Sequence, residues 1–168
     1  RRVIIDDSEN MYITASLLYN KKIINNDIEH IYQPDGISCG NTVIKMILNY
    51  IKPQNNIKIE DIIEICGTDS SHGTRDVEMK KGLKHFNINH AQNKLEGDKY
   101  KQIAHLNEIL EEGNVFALRC LVNGIKHWVL ITGKKEYNNK LYFYVNDPLS
   151  GKSIYNIEEI IRIWKPRN

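Results

Sequence analysis

Apolar residues return every three or four positions through much of the first two thirds of the chain, the spacing of one face of an α-helix. The clearest run begins at Cys39 and stops near Ile51, because Pro53 disfavours a helical conformation in the residue before it. The same periodicity predicts three further helices, over 59–66, 75–86 and 100–112. Thr74 is predicted as the N-cap of the second of these.

From residue 115 onward the apolar spacing changes to every second position, and β-branched and aromatic residues become frequent. We predict strands over 115–122, 127–132 and 141–145. Asn123-Gly124 stands between the first two, and this dipeptide is typical of a tight hairpin, so the strands should form an antiparallel meander. A short strand and a helix are predicted over 154–164. Helices followed by an antiparallel sheet indicate an α+β fold.

The segment before this pattern is harder to assign. It predicts a short strand over 2–5 and a helix over 11–18. We treat 1–30 as an N-terminal extension of unclear role and 31–168 as a single compact domain, since this length suffices for one core. Because the chain begins with Arg1 rather than methionine, we expect a processed form or a domain of a larger protein.

Composition narrows the function classes. The 23 basic and 21 acidic residues give a net charge of +2, and the basic residues form no stripe. This distribution does not favour nucleic acid as a binding partner, but it does not exclude one. No apolar run approaches the roughly 18 residues of a membrane span, and no signal segment opens the chain. Three cysteines in no metal-ligand spacing argue against a disulfide framework and a zinc site. Free thiols favour a reducing compartment, such as the cytoplasm of a producing cell or of a target cell.

Cys39 is the first candidate for chemistry. It stands where a polar loop becomes a helix, and the unpaired N–H groups and positive dipole end of a first helical turn favour a thiolate. Such a thiol is a candidate nucleophile that requires no metal and no cofactor. Cys66 and Cys120 are predicted to be small buried residues instead.

Attack of a thiol on a carbonyl needs a base, a group that orients the base, and donors for the oxyanion. His127 opens a predicted strand beside the hairpin, from which its imidazole can face Cys39 as the base. Asp147 follows the next strand and can reach the far nitrogen of that ring. Asn146 is the rival orienter, although strand alternation sends it to the opposite face. Gln33, six residues before Cys39, can aim its amide at the oxyanion together with the Cys39 backbone N–H.

These residues stand in the order found in papain-like cysteine peptidases, which the chain resembles. A narrower resemblance, to the double-glycine-leader peptidase-like family that trims bacteriocin precursors, rests on four short motifs. They are Gln33-x-x-x-x-Ser38-Cys39-Gly40, Gly73-Thr74 before a helix that ends in Gly82-Leu83, His127-Trp128-Val129 and Asp147-Pro148. One departure is Ser38, where those peptidases commonly have an acidic residue.

The resemblance implies roles for four residues: Cys39 as nucleophile, His127 as general base and acid, Asp147 as orienter and Gln33 as oxyanion donor. It also implies a papain-like fold, in which a helical lobe with the nucleophile helix packs against an antiparallel β-sheet lobe. The cleft between the lobes would hold an extended peptide.

Three functions follow as hypotheses. The first is a thiol hydrolase that cleaves an amide bond in a peptide or protein through an acyl-enzyme. The second keeps the same residues but acts as a deamidase or an acyl or amide transferase of the effector or toxin kind. The third is a secreted toxin domain that a cognate immunity protein neutralises, or that acts on nucleic acid.

Overall fold

A computed structural model describes residues 11–16, 28–94, 98–122 and 124–163. The strands are β1 (Met11–Ser16), β2 (His90–Lys94), β3 (Asn114–Val122), β4 (Ile125–Tyr137), β5 (Lys140–Asp147) and β6 (Gly151–Asn156). The helices are α1 (Cys39–Ile51), α2 (Ile59–Cys66), α3 (Asp76–His85), α4 (Lys99–Glu111) and α5 (Ile157–Ile163). The predicted α+β class is confirmed, and the four helices from α1 to α4 lie where their periodicity places them.

The strands form one antiparallel sheet of six, in the order β2-β1-β3-β4-β5-β6. The predicted meander therefore extends from β3 to β6. Val122 of β3 pairs with Ile125 of β4, so the chain turns in two residues as the hairpin signal indicates. Gly124 of that turn has a φ of +77°, a conformation that glycine adopts without a steric cost.

Alternation along the strands sends side chains to two separate cores. On one face, side chains such as Ala117 and Leu130 pack with the apolar faces of α1, α2 and α3. On the other face, Phe116 and Val129 pack with α4 and α5. The sheet is thus covered on both sides, and α1 lies against one of them.

Glycine makes one of these helix contacts possible. A Cβ atom on Gly82 of α3 would lie 2.5 Å from the Cys66 sulfur and 2.8 Å from Cδ1 of Ile44. Both distances are shorter than real contacts, so α3 packs this closely on α1 and α2 only because residue 82 has no side chain.

In the N-terminal half, one predicted element is wrong and one strand was not expected. Met11–Ser16 is a strand and not part of a helix, because its backbone pairs with β2 on one side and β3 on the other. That pairing outweighs the weak helical periodicity, and Tyr, Ile and Thr within it favour a strand. β2 was not predicted, since its sequence is mostly polar and lacks apolar alternation. The strand predicted over 2–5 lies outside the described residues.

The final elements agree with prediction. Asn156 precedes α5, its Oδ1 accepts the Glu159 N–H at 2.9 Å, and the Glu159 carboxylate accepts the Asn156 N–H at 3.1 Å. This reciprocal pair is the capping box that a helix start favours. Within the described ranges, no helix combines the length and apolar character that a membrane span requires.

Candidate active site

Cys39 is the first residue of α1, and the loop before it is held by Asp35. The Asp35 carboxylate accepts the backbone N–H groups of Ile37 and Ser38, each at 2.9 Å. Burial alone would raise the pKa of Asp35, but these hydrogen bonds lower it below its usual value. A charged Asp35 thus braces the turn into α1 at neutral pH. Asp35 is not among the residues predicted from the sequence to belong to the site, although an Asp-Gly turn before a helix is a recognisable signal.

The first turn of α1 is also fixed from the side. The Asn41 amide donates to Thr68 Oγ1 at 2.9 Å and accepts from Thr74 Oγ1 at 3.1 Å, and the two threonine oxygens lie 3.0 Å apart. Thr74 is therefore not the N-cap of α3, a position that Arg75 occupies, because its hydroxyl is used on α1. A Cβ on Gly40 would lie 2.7 Å from Cβ of Thr74, so glycine permits this close approach.

His127 and Asp147 form a buried pair. His127 Nε2 lies 2.6 Å from Asp147 Oδ1, and each residue is 7% exposed. The sheet register explains the contact, since Leu130 of β4 pairs with Asn146 of β5 and Asp147 follows on the face that it shares with His127. A hydrogen bond with the Cys39 side chain also acts on the His127 ring and contributes to its raised pKa.

The charges of this group stabilise one another. Burial alone would lower the pKa of His127, but its hydrogen bonds to Asp147 and Cys39 and their negative charges raise it to about 9. Burial alone would raise the pKa of Asp147, but hydrogen bonds from His127 and from the Leu149 N–H lower it. At neutral pH the arrangement is therefore an imidazolium held between a carboxylate and the Cys39 sulfur.

The remaining two candidates differ in position. Gln33 lies in the loop before α1. Its side-chain Nε2 donates to the Asp35 carbonyl at 2.6 Å, and its backbone N–H donates to the Pro148 carbonyl at 2.8 Å. Asn146 is fully buried and its amide donates to the carbonyl of Ile28 at 2.9 Å. Of the two rival orienters, Asp147 is the one that contacts His127.

The other two cysteines lie in apolar surroundings. Burial raises the pKa of the Cys66 thiol to about 11 and that of the Cys120 thiol to about 12. Both stay protonated at neutral pH, and a neutral buried thiol is a poor nucleophile. The structure therefore distinguishes them from Cys39, which is partly exposed.

A cleft of about 240 Å³ opens beside Cys39. Trp128 forms one wall, and its indole N–H donates to the carbonyl of Thr74 at 2.7 Å, which joins the sheet to the α1 side. Arg119 lies over the Trp128 ring at 5.8 Å and is held by Asp76 at 3.1 Å. Arg119 belongs to none of the motifs found in the sequence. The cleft is lined by Gly36, Ile37, Cys39, His72, Gly73, Thr74, Arg119, Ile125, Lys126 and Trp128.

A thiol at a helix N-terminus together with a buried histidine–aspartate pair on an antiparallel sheet is the arrangement of papain-like cysteine peptidases. The family model of the Peptidase C39 family matches residues 27–167. The chain belongs to the Peptidase C39 family, the bacteriocin-processing peptidases, and is a cysteine peptidase.

A solved structure supports the same fold. The chain is similar to a double glycine motif protease from an AMS/PCAT transporter, crystallised in complex with the leader peptide, with a TM-score of 0.63 and 22% identity. The similarity covers 85% of this chain and 89% of that chain. No curated protein matches the sequence. The expected papain-like fold is confirmed by the fold shared with that protease.

Proposed function

We propose that this peptidase cleaves an amide bond in an extended peptide through a Cys39-His127-Asp147 triad, with Gln33 as an oxyanion donor. The observation that carries the proposal is the unbroken chain of contacts from Cys39 through the His127 ring to Asp147, whose Oδ1 lies 2.6 Å from Nε2. A thiolate, a proton donor and an orienting carboxylate are the three groups that acyl transfer requires.

In the first half of the reaction, the Cys39 thiolate attacks the substrate carbonyl carbon, forms the C–S bond and sends an electron pair to oxygen. Collapse of this intermediate breaks the C–N bond, while protonated His127 gives its proton to the leaving amine. In the second half, neutral His127 takes a proton from water, and the hydroxide attacks the thioester. The C–S bond then breaks, which releases the acid and restores the thiolate.

Two donors are assigned to the oxyanion. One is the backbone N–H of Cys39, which lies in the first turn of α1 where the helix dipole favours negative charge. The other is the side-chain amide of Gln33. An amide nitrogen carries two N–H bonds, and the contact with the Asp35 carbonyl uses one of them. The second N–H is the donor that we assign to the substrate.

The substrate that we propose is a precursor peptide cut behind its leader. The similar protease was crystallised with the leader peptide, which supports a peptide of this kind. The cleft suits a substrate peptide in an extended conformation, because Gly36 and Gly73 line it beside Cys39 and have no side chains that would keep the peptide backbone away.

The test uses the purified chain, a synthetic precursor peptide with a double-glycine leader, and mass spectrometry of the products. The wild type should release leader and remaining peptide, while Cys39→Ala should release neither and should unfold at nearly the same temperature. A treated cell lysate separates the other hypotheses: new protein termini support a peptidase, conversion of amides to acids without new termini supports a deamidase, and cut nucleic acid with intact protein supports the toxin hypothesis.

A further inference from the structure

Residues 28–33, called the strap below, lie along the turn that carries Asp147, and three hydrogen bonds join the two segments. The Asn146 amide donates to the carbonyl of Ile28 at 2.9 Å, and the Gln33 N–H donates to the carbonyl of Pro148 at 2.8 Å. Between them, His30 Nε2 lies 2.5 Å from the main-chain carbonyl of Asp147. The strap begins with a fully buried side chain, Ile28, in the α1 core, and ends with the Gln33 amide.

The contact made by His30 is specific in its chemistry. A carbonyl oxygen only accepts hydrogen bonds, so Nε2 of His30 carries the hydrogen and donates it. The ring is half-buried and stands edge-on to Tyr32, with centroids 4.5 Å apart and an interplanar angle of 77°. The imidazole is therefore oriented by a neighbour in the strap as well as by its hydrogen bond.

Asp147 is held at both ends as a result. Its carboxylate oxygen Oδ1 contacts His127 at 2.6 Å and accepts the Leu149 N–H at 2.8 Å, while its carbonyl accepts from His30. A carboxylate that orients a catalytic histidine must stay within a fraction of an ångström of its productive position. The main chain around Asp147 is also paired with Gly151 of β6 and accepts the Gln33 N–H at Pro148, and His30 adds a side-chain hydrogen bond at the carbonyl of Asp147 itself.

We infer that His30 is a positioning residue of the peptidase, which fixes the position of the Asp147 carboxylate and, through it, the orientation of the His127 ring. The same strap carries Gln33, so the orienting carboxylate and the oxyanion donor are held as one unit. This inference rests on the proposed triad. The residues that line the cleft beside Cys39 do not include His30, so His30 should affect the chemical step rather than substrate binding.

The test compares His30→Ala, His30→Gln and His85→Ala. Alanine at position 30 removes the hydrogen-bond donor, whereas glutamine supplies a side-chain N–H at about the same distance from the main chain. The control residue is His85, which is exposed at the end of α3. We expect His30→Ala to lower kcat about tenfold or more with little change in KM, because misplacement of a catalytic group acts on the chemical step. His30→Gln should recover most of the loss, and His85→Ala should match the wild type.

A second readout needs no substrate. The rate of Cys39 alkylation, measured against pH, reports the thiolate–imidazolium pair. This pair exists only below the pH at which His127 loses its proton, and that upper pH limit depends on the Asp147 carboxylate beside His127. In His30→Ala this upper limit should move to lower pH, and in His30→Gln it should return. A lower unfolding temperature in both variants, with an alkylation profile that matches the wild type, would show that His30 has only a structural role and would overturn the inference.

The two proposals fail in different ways. If wild-type Cys39 alkylates no faster than an ordinary thiol, the proposed triad is wrong. If wild-type Cys39 is activated and His30→Ala leaves both its alkylation profile and kcat unchanged, the triad stands and the role of His30 is wrong.

Discussion

Cys39, Cys66 and Cys120 carry the same side chain in three environments, and their surroundings decide what each can do. Cys39 lies at a helix N-terminus, is partly exposed and contacts the His127 ring. Cys66 and Cys120 are buried, and their high pKa values keep them protonated. Reactivity in this chain is therefore a property of position rather than of residue type.

Alkylation should reveal this difference directly. At about pH 6 an ordinary thiol is almost entirely protonated, whereas a thiol paired with an imidazolium reacts as the thiolate. We expect iodoacetamide to label Cys39 well before Cys66 and Cys120, as measured by peptide mass spectrometry. Cys39→Ala should abolish the fast phase. Equal labelling of the three cysteines would contradict an activated Cys39.

Asp147→Asn tests the orienting carboxylate. The substitution keeps the size of the side chain but removes the charge that helps to hold His127 protonated. We expect kcat to fall by about a hundredfold or more, because a misoriented or wrongly protonated histidine cannot serve as both base and acid. The activity assay is the precursor cleavage described above.

The matched control is Asp98→Asn at the exposed start of α4. The Asp98 side chain caps that helix by accepting the Lys101 N–H at 3.0 Å, and asparagine caps a helix equally well. This variant should retain wild-type activity. If Asp147→Asn also retains it, the carboxylate is not the orienter, although Asn146 could replace it only after leaving the Ile28 carbonyl.

At the scale of elements, close packing of helices around α1 determines how firmly Cys39, the proposed nucleophile, is held. α1 contacts α2, α3 and the sheet through a continuous apolar face. Two glycines make this packing possible, Gly40 against Thr74 and Gly82 against Cys66 and Ile44. The helices would have to separate if either residue gained a side chain.

Gly82→Ala should lower the free energy of unfolding by about 1–3 kcal/mol, since overpacking a core outweighs the better helix propensity of alanine. The added methyl group would lie 2.5 Å from the Cys66 sulfur. Adding Cys66→Ala removes that sulfur, so the double variant should be more stable than the sum of the single effects predicts. Urea unfolding of the wild type and the three variants completes this cycle. Additive effects would mean that the two residues do not compete for the same space.

At the scale of the whole molecule, the site exists only in the folded chain. Its parts come from the loop before α1, from the first residue of α1, from β4 and from the end of β5, which pack together through two cores. The charged state of His127 is likewise a property of the fold, since its neighbours Asp147 and Cys39 are distant in the sequence.

Stability should therefore depend on pH through His127. Its folded-state pKa of about 9 lies above the ordinary value of 6.5, so its contribution to stability is complete below pH 6.5 and is lost as the pH rises through about 9. We expect the free energy of unfolding of the wild type to fall over this interval relative to His127→Gln. Urea titrations at several pH values measure the difference. Parallel pH dependences in the two proteins would show that the pKa is not raised.

Much of the architecture could be predicted from local pattern. α1, α2, α3 and α4 follow apolar spacings that a helix buries on one face, and the β3–β4 hairpin follows from Asn123-Gly124. The candidates Cys39, His127, Asp147 and Gln33 were found from residue type and order. The structure places His127 beside Asp147 and Cys39, and it places the Gln33 N–H on the carbonyl of Pro148, next to Asp147. Their roles remain the proposal to be tested.

Other features depended on residues far apart in the chain. Met11–Ser16 is a strand because β2 and β3 supply partners on both sides, which its own sequence cannot indicate. Asp147 rather than Asn146 meets His127 because the β4–β5 register sets which face each occupies. Asp35, Arg119 and His30 stood out in no motif, since their importance lies in the groups that they contact.

The sequence by itself determined the elements and the reactive groups, because helix periodicity, hairpin chemistry and side-chain chemistry act over a few residues. The tertiary structure alone decided which groups meet, in what protonation state and how tightly they are held. Those properties arise from strand register, burial and close packing between segments more than a hundred residues apart, as for His30 and the carbonyl of Asp147. Cys39 is a candidate nucleophile from its place in the sequence, and the proposed active site exists only where the fold sets His127 and Asp147 beside it.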